Sequence, residues 1–385
     1  MQINYSVYKS VNDFPFDWNQ QTQQANICAG IEIVEKAKIP NLENYYVIRY
    51  HDDKPVYASY FQLLHVTPIH FNLGNKRIQQ IALSTALRIV KPTLLVAGNL
   101  FRHDVLFFQF LNADLSDDEK AQYYQETTNY MINYTNASGI FLKDVEKNIA
   151  ARVQKDTTYI QMQDDVSMEI EIPTHWHSFE DYEHELKHKY MQRSRKIRKA
   201  FHDVRIESFD ESAIEKYSKE MEQLYLQVSQ KQLVSMGVIN DAFFKELKRI
   251  LKDKYIVCGY FYQDKLIAFS SAIKHADEYD MNYIGIDYAY NQSHQLYFNI
   301  LFHCLENAMA TQSKKLILGR TAPEAKAILG CEPDYRFSFY KLRNVIVNWF
   351  YQMVASYFHE QQGDAWKDRH PFKSSYYQAK KNLHD

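Results

Sequence analysis

An order of elements that occurs twice along the chain is the feature that most constrains the fold. In the first half, strand patterns at 44–51 and 56–64 predict a hairpin, and a buried strand at 93–97, a helix opening at 116 and a strand at 139–143 follow. In the second half, strand patterns at 255–262 and 266–273 flank a turn, and a strand at 281–287, a helix at 295–311 and a strand at 315–319 follow. The sequence therefore predicts a duplicated α+β unit.

Length and composition agree with two globular domains. The chain has 385 residues, 46% of them hydrophobic and 24% charged, enough for two packed cores. Only 10 residues are glycine, which argues against glycine-rich nucleotide loops, and the formal net charge of −2 gives no overall attraction to nucleic acid or anionic membranes. Any such affinity must come from a local cluster of charges.

The cysteines and the apolar runs bear on the compartment. Cys28, Cys258, Cys304 and Cys331 form no C-x-x-C pair, which favours reduced thiols over a disulfide framework. The first residues lack the pattern of a signal peptide, and no run reaches the ~18 apolar residues of a membrane span. We therefore expect a cytoplasmic protein with no integral membrane segment.

A cluster of cations lies at 187–205, where eight lysines and arginines accompany one acid, Asp203. Ser178 begins a capping box, acids fill the next two turns, and apolar residues recur at helical spacing as far as Phe201. The pattern predicts one amphipathic helix whose charges complement the helix dipole. His184 and His188 within it have the H-E-x-x-H spacing of zinc peptidases. Because both histidines fall on the polar face and no third ligand is singled out, we predict no metal site.

Two motifs carry a resemblance to a known family. The run W-x-S-F-E-D-Y from Trp176, with its lysines and arginines up to Lys199, resembles the segment that opens the second domain in bacterial FemAB-like acyltransferases of the GNAT superfamily. Further on, Gly319-Arg320-Thr321, Lys326 and Gly330-Cys331-Glu332-Pro333 are similar to the run that follows the fifth core strand in those proteins. The resemblance covers 174–343, while the first half matches only in the order of its elements.

The resemblance implies a fold and a division of the chain. We expect two tandem GNAT-like domains, at 1–172 and 173–343, each with a mixed, mainly antiparallel sheet flanked by helices. A wide apolar stripe at helical spacing predicts a further helix at 345–360, and the remaining tail to 385 reads as irregular.

The family's activity implies an acyl or aminoacyl group moving from an activated donor, with acyl-CoA the expected donor and an amine the acceptor. The donor's pyrophosphate would meet the turn that precedes the 295–311 helix, at Asn291, Gln292, Ser293 and His294. This turn lacks the glycines usual in GNAT proteins, and a plain polar helix cap is the alternative interpretation.

Four residues are candidates for catalysis. Arg320 and Lys326 place cations at the exit of a buried strand, where they suit a phosphate, a carboxylate or an oxyanion. Alternatively, Arg320 pairs with Glu332 to fix the loop. Asp287 and Tyr283, on the third strand, are candidate proton acceptors.

Two other functions remain open. An aminoacyl-tRNA-dependent transferase of cell-wall precursors would use the basic segment 187–205 to contact tRNA phosphates. A catalytically idle GNAT-like binding module would explain the missing glycines. Binding of acyl-CoA and of tRNA distinguishes the three.

Overall fold

The computed structural model describes residues 3–15, 27–72, 74, 77–102, 108–111, 115–162, 166–232, 234–344, 348 and 367–384. The described residues form two compact units. One comprises those within 1–165, 230–246 and 336–363, and the other those within 166–229, 247–335 and 364–385. Most of the predicted helix at 345–360 lies outside the described residues.

The first unit is built on a sheet that is antiparallel except for one pair. Its strands are β1 (Ile3–Tyr8), β2 (Leu42–His51), β3 (Lys54–His65), β4 (Thr93–Ala97), β5 (Phe108–Phe110), β6 (Gly139–Leu142), β7 (Ile160–Gln161) and β15 (Phe339–Leu342). They run in the order β1-β2-β3-β4-β6-β15-β7, with β5 beside β3, and β4 with β6 is the parallel pair. Helices α1 (Ile27–Lys36), α2 (Arg77–Val90), α3 (Asp117–Thr135) and α4 (Lys147–Val153) accompany the sheet.

The second unit repeats this plan. Its strands are β8 (Val166–Glu171), β9 (Arg205–Ser208), β10 (Tyr255–Tyr262), β11 (Lys265–His275), β12 (Glu278–Ile286), β13 (Lys315–Gly319) and β14 (Glu332–Tyr335). The order is β14-β8-β13-β12-β11-β10-β9, and β12 with β13 is the parallel pair. The helices are α5 (Phe179–Glu185), α6 (His188–Lys199), α7 (Glu211–Ser229), α9 (Tyr288–His294), α10 (Leu296–Ala310), α11 (Pro323–Leu329) and α12 (Ser374–His384), while α8 (Asp241–Leu251) spans the division between the units.

Turn chemistry explains both hairpins. Asp52 and Asp53 between β2 and β3 have φ of 46° and 65°, and Gln263 and Asp264 between β10 and β11 have φ of 49° and 60°. Two consecutive left-handed residues match the twist of the strands that they join, and Asp tolerates that conformation. The predicted α+β fold with two mixed, mainly antiparallel sheets is confirmed.

In each sheet one strand pairs with strands that are far away in the sequence. β15 pairs with β6 and β7, so that Phe339 lies opposite Leu142. β8 pairs with β13 and β14, so that Ile170 lies opposite Leu316. The predicted boundaries at 172/173 and 343/344 put β8 in the first domain and β15 in the second. The pairing shows the opposite, because β8 belongs to the sheet of the second unit and β15 to the sheet of the first. The residues of a short apolar strand are equally compatible with either sheet, because they do not indicate which distant strand they will pair with.

The predicted single helix from Ser178 to Phe201 is two helices. Leu186, with φ −72° and ψ 145°, is extended and forms a β-bridge with Phe372. Around it, the Lys187 N–H donates to the Pro371 carbonyl and the Lys373 N–H to the Glu185 carbonyl, both at 2.8 Å. The periodicity continues across the break, but tertiary hydrogen bonds to the tail replace those of the helix.

The prediction of an irregular tail is also wrong. Ser374–His384 is helical, and Phe372 and Tyr376 are buried among aromatic residues of the second unit. The Trp176 and Tyr182 rings lie 5.7 and 5.9 Å from the Phe372 ring, measured between centroids. Phe372 and Tyr376 of the tail therefore belong to the core of the second unit.

Candidate functional site

The parallel strands of the second unit separate toward their C-terminal ends. β12 pairs with β13 only where Glu278–Asp280 face Lys315–Ile317. Beyond these residues the described chain shows no further pairing between them, although β12 continues to Ile286 and β13 to Gly319. The two strand edges therefore border an opening, here called the wedge. Ligands of sheets with parallel strands commonly bind beyond the carboxyl ends of those strands.

β12 bulges beside the wedge. Met281 lies opposite Ala272 and Ile284 opposite Ser270, so three steps along β12 match two along β11. The Ser271 hydroxyl occupies the bulge, where it accepts from the Tyr283 N–H at 3.0 Å and donates to the Tyr283 carbonyl at 3.1 Å. Bulges are frequent next to active sites, where they redirect the backbone. No pattern in the sequence singles out Ser271.

The segment predicted as the donor-binding turn is a helix. Asn291, Gln292, Ser293 and His294 end α9, and Gln295, with φ of 50°, separates α9 from α10. Backbone amides inside a helix donate to carbonyls one turn earlier. The structure therefore brings the four residues together without presenting a loop of free amides, and their role in donor binding stays a prediction.

The side chains of these residues differ in environment. The Asn291 carboxamide oxygen accepts from the Tyr297 N–H at 3.0 Å, while Gln292 and Ser293 are exposed. His294 is buried, with Nδ1 2.8 Å from the Ser293 hydroxyl and Nε2 3.6 Å from the Asp203 carboxylate. These contacts favour a structural role for His294 at the junction of α9 and α10.

The two candidate proton acceptors differ in position: Tyr283 lies within β12, and Asp287 directly follows it. Asp287 caps α9 by accepting from the Ala289 N–H at 3.1 Å, and its carboxylate pairs with the Lys265 ammonium at 2.8 Å. Tyr283 is half-buried beside the bulge, and its ring packs edge-on against Tyr225 of α7. Asp287 therefore has a capping role, and catalysis by either residue stays a prediction.

Lys326 is buried and supports the end of β13. Its side chain is 0% exposed, and its Nζ donates to the Gly319 carbonyl at 3.0 Å. Burial lowers the pKa of the Lys326 ammonium to about 7, and the nearby Cys331 thiol acts in the opposite direction. Gly319 has φ of +73°, which favours glycine, and the half-buried Arg320 follows directly. Lys326 therefore fixes the corner from which Arg320 extends. Glu332, which the alternative interpretation pairs with Arg320, forms an ion pair with Lys380 at 2.7 Å.

A cavity of about 680 Å³ lies among segments that follow both wedge strands. It is lined by Lys189, Tyr190, Arg193, Phe298, Ala322, Pro323, Glu324, Ala325, Ile328 and Arg369. Residues 322–325 come directly after the β13 exit, and Phe298 is in the first turn of α10, after β12 and α9. The cavity therefore belongs to the C-terminal side of the wedge.

Cations predominate in the cavity wall. Lys189 and Arg193 are one turn apart on α6, and the Arg193 guanidinium lies 5.1 Å from the centroid of the Phe298 ring. Arg369 pairs with Glu324, the only acid among the lining residues. Cations beside aromatic rings suit an anionic ligand that also carries an aromatic group. The helical spacing of Lys189 and Arg193 is visible in the sequence, but nothing in the sequence places Phe298 or Arg369 beside them.

Strand order is the feature that the two units share. In both sheets one parallel pair lies in an otherwise antiparallel sheet, and in the second unit that pair separates at its C-terminal end. Both units therefore have the mixed α+β sheet that the resemblance to FemAB-like proteins of the GNAT superfamily implies. No family model and no curated protein matches the sequence.

Solved structures with similar folds include GNAT proteins. The crystal structure of FemX aligns with a TM-score of 0.47 and 10% identity over 84% of this chain and 98% of its own. A tandem GNAT protein from the clavulanic acid biosynthesis pathway has a TM-score of 0.46 and 7% identity over 88% of this chain and 98% of its own. A GCN5-related N-acetyltransferase from Sphaerobacter thermophilus has a TM-score of 0.40 and 9% identity over 78% and 80%.

In the second unit the basic segment 187–205 is partly neutralised. Arg195 pairs with Glu183 at 3.1 Å, Arg198 with Glu306 at 2.6 Å, and Arg205 with Asp264 at 3.2 Å. Lys189 and Arg193 line the cavity, and Lys196 and Lys199 are exposed on the same helix. The cations that remain for a ligand are therefore fewer than the sequence count indicates.

The H-E-x-x-H residues lie on either side of the helix break. His184 is in α5 and His188 begins α6, and both are exposed. The Glu185 carboxylate between them accepts a hydrogen bond from His175 Nε2 at 3.3 Å. Within the described ranges, no group of three or more His, Cys, Asp or Glu side chains is placed to hold a metal ion. Among the described helices, none has the length and the apolar character needed to cross a bilayer.

Proposed function

We propose that this chain is a transferase that moves an acyl or aminoacyl group from an activated donor to an amine. The wedge between β12 and β13, with the cation-lined cavity on its C-terminal side, is the observation that carries the proposal. An extended thioester or ester arm suits the wedge, because a strand edge offers backbone donors and acceptors along its length.

Amide formation requires an amine beside the acyl carbon and donors for the oxygen that becomes negative. Edge N–H groups of β12 in the stretch 281–286 are candidates for those donors, since β13 pairs only with 278–280. The Tyr283 N–H already donates to the Ser271 hydroxyl in the bulge, so the bulge would set the direction of the neighbouring N–H groups instead. Rigid backbone donors stabilise a developing charge without reorganisation.

Side chains at the wedge exit complete the proposed site. We assign Arg320 to the donor, as a cation for its phosphate or for the acyl oxygen. Lys326 acts as a positioning residue through its bond to Gly319. Tyr283 and Asp287 remain the candidates for accepting the proton of the amine, Asp287 being the less accessible because Lys265 and the α9 amide already bind its carboxylate.

The proposed donor is an acyl-CoA, whose phosphates would bind Lys189 and Arg193 and whose purine would stack in the cavity beside Phe298. Asn291, Gln292, Ser293 and His294 stay part of this proposal as contacts along the donor. An aminoacyl-tRNA is the second candidate, because the cavity cations continue along α6 to the exposed Lys196 and Lys199.

Two double variants of α6 distinguish the donors. Lys189→Gln with Arg193→Gln removes the cavity cations, and Lys196→Gln with Lys199→Gln removes the same charge from the same helix outside the cavity. For an acyl-CoA, calorimetry should show affinity reduced about tenfold or more by the first pair and unchanged by the second. For an aminoacyl-tRNA both pairs weaken binding, and the affinity falls steeply with salt.

Transfer is tested with a labelled acyl group and a panel of amines. Arg320→Ala should fold as the parent does, by circular dichroism, and lose transfer. If activity instead follows the folded fraction, Arg320 has a structural role. If neither acetyl-CoA, longer acyl-CoAs nor aminoacyl-tRNA binds at low salt, the transferase proposal is wrong, and the fold serves as a binding module.

A further inference from the structure

Helix α2 of the first unit exposes a wide apolar surface. None of its fourteen residues is buried. Ile78 is 85% exposed, Ile81 59% and Ile89 77%, and Ile69 in the preceding turn is 58% exposed. Scattered exposed aliphatics are ordinary, but several on one helix form a patch that monomeric proteins rarely leave open.

The three exposed isoleucines share one side of the helix, whereas Val90, which is 69% exposed, lies at its C-terminal end on the side of Leu83. At about 100° per residue, Ile78, Ile81, Ala82, Thr85 and Ile89 lie on one face. Leu83 and Leu87 lie on the other and are half-buried. The fold therefore uses one side of α2, and the more apolar side faces outward. This is the reverse of the orientation expected of a helix on a globular protein.

Charge around α2 has a single sign. Arg77 and Arg88 are exposed on one flank of the outward face, and Lys91 follows the helix. From residue 77 to residue 91 the sequence contains three cations, Arg77, Arg88 and Lys91, and no Asp or Glu. A second copy of this surface would bring like charges together, whereas an anionic surface would complement them.

We propose that α2 is an interfacial helix that binds an anionic lipid bilayer. Its isoleucine face enters the boundary between headgroups and acyl chains, and Arg77, Arg88 and Lys91 contact the lipid phosphates. Fourteen residues at 1.5 Å each give a helix of about 21 Å, shorter than the ~30 Å hydrocarbon core, so α2 lies along the surface. This inference rests on α2 alone and goes beyond the proposed transferase function.

Cosedimentation of the full chain with vesicles tests the proposal. We expect binding to vesicles of phosphatidylcholine mixed with phosphatidylglycerol, and much weaker binding to phosphatidylcholine alone. Ile78→Asn with Ile89→Asn should weaken binding about a hundredfold, at about tenfold for each isoleucine removed. Arg77→Gln with Arg88→Gln should weaken binding to the anionic vesicles about 25-fold, at about fivefold for each cation.

Controls outside α2 separate this surface from general stickiness. Ile206→Asn in β9 removes another exposed isoleucine, and Lys54→Gln at the start of β3 removes an exposed cation outside α2. Neither should change vesicle binding. Because α2 has no buried residue, its variants should keep the circular dichroism of the parent. Hydrogen exchange of the parent should slow across 77–90 on addition of anionic vesicles, a result that needs no variant.

Three results would overturn the proposal. The parent chain could fail to bind anionic vesicles at low salt. The α2 variants could bind as well as the parent. Finally, sedimentation equilibrium could show that the parent self-associates and that Ile78→Asn with Ile89→Asn abolishes this while vesicles do not bind, in which case the face joins copies of the chain.

Discussion

The buried Lys326 predicts an unusual dependence of stability on pH. Its pKa is lowered from an ordinary 10.5 to about 7 by burial, and among the described residues its ammonium donates to the Gly319 carbonyl, an uncharged acceptor. Between pH 7 and 10.5 the unfolded chain therefore binds one proton more than the folded chain at this position. The free energy of unfolding rises with pH wherever the unfolded state binds more protons, so Lys326 contributes a positive slope in that range.

The size of the effect follows from the two pKa values. The difference between 10.5 and about 7, at about 1.4 kcal/mol for each pH unit, gives a cost of about 5 kcal/mol below pH 7. From pH 7 to pH 8.5 the folded state should recover about 1.5 kcal/mol of this. The Cys331 thiol, whose pKa burial raises to about 12, stays protonated in the folded chain over the same interval.

Lys326→Met tests this reasoning, because methionine fills a similar volume without a charge. Urea unfolding at pH 7 and at pH 8.5, followed by circular dichroism, should show that the parent gains about 1.5 kcal/mol more than the variant. At pH 7 the variant should be the more stable of the two by about 3 kcal/mol, because the lost bond to Gly319 offsets part of the gain. Lys196→Met, at an exposed site of the same unit, is the control and should change neither value. Parallel pH profiles of the parent and Lys326→Met would refute the argument.

Three further changes test the fold and the site. Gly330→Ala should cost about 3 kcal/mol or more in urea unfolding, because Gly330 has φ of +98° and a Cβ would overlap the Phe372 ring, whereas Gly74→Ala, at φ +61° in open space, should cost about 1 kcal/mol. Ser271→Ala leaves the Tyr283 N–H and carbonyl without their partner and should cost about 1–3 kcal/mol and weaken donor binding; unchanged stability would contradict the role given to the bulge. Removing 367–385 should unfold the second unit, visible as lost hydrogen-exchange protection in β13, and retained protection there would show that the tail is dispensable.

Local signals in the sequence were sufficient for the fold class. The turns Asp52-Asp53 and Gln263-Asp264, each between two strand patterns, predicted the two hairpins. The capping box of Ser116 and Glu119 predicted the start of α3. These features are determined by residues within a few positions of each other, so a short stretch of sequence is enough to predict them. Repetition of the same order in both halves then predicted two units of one type.

Features that depend on distant partners were not predictable. Leu186 continues a helical pattern, yet its backbone bonds to Phe372, far along the chain. For the candidate site, motif spacing placed Arg320 and Lys326 near the wedge, but burial of the Lys326 amine is a tertiary effect. The sequence likewise could not show that residues 288–294 would be helical, since a polar run suits a turn and a short helix equally.

The pairing of β15 with the first sheet has a consequence for how the protein is made. Gly139 to Leu142 have β4 on one side, but they gain their second neighbour only when residues 339–342 have been translated, so the first sheet stays incomplete until those residues have left the ribosome. Pairing over such a separation is slow, and an unpaired strand edge promotes aggregation in the meantime. Neither half cut at the middle of the sequence should therefore be soluble when expressed separately, whereas co-expression of the two pieces should restore the missing strand to each.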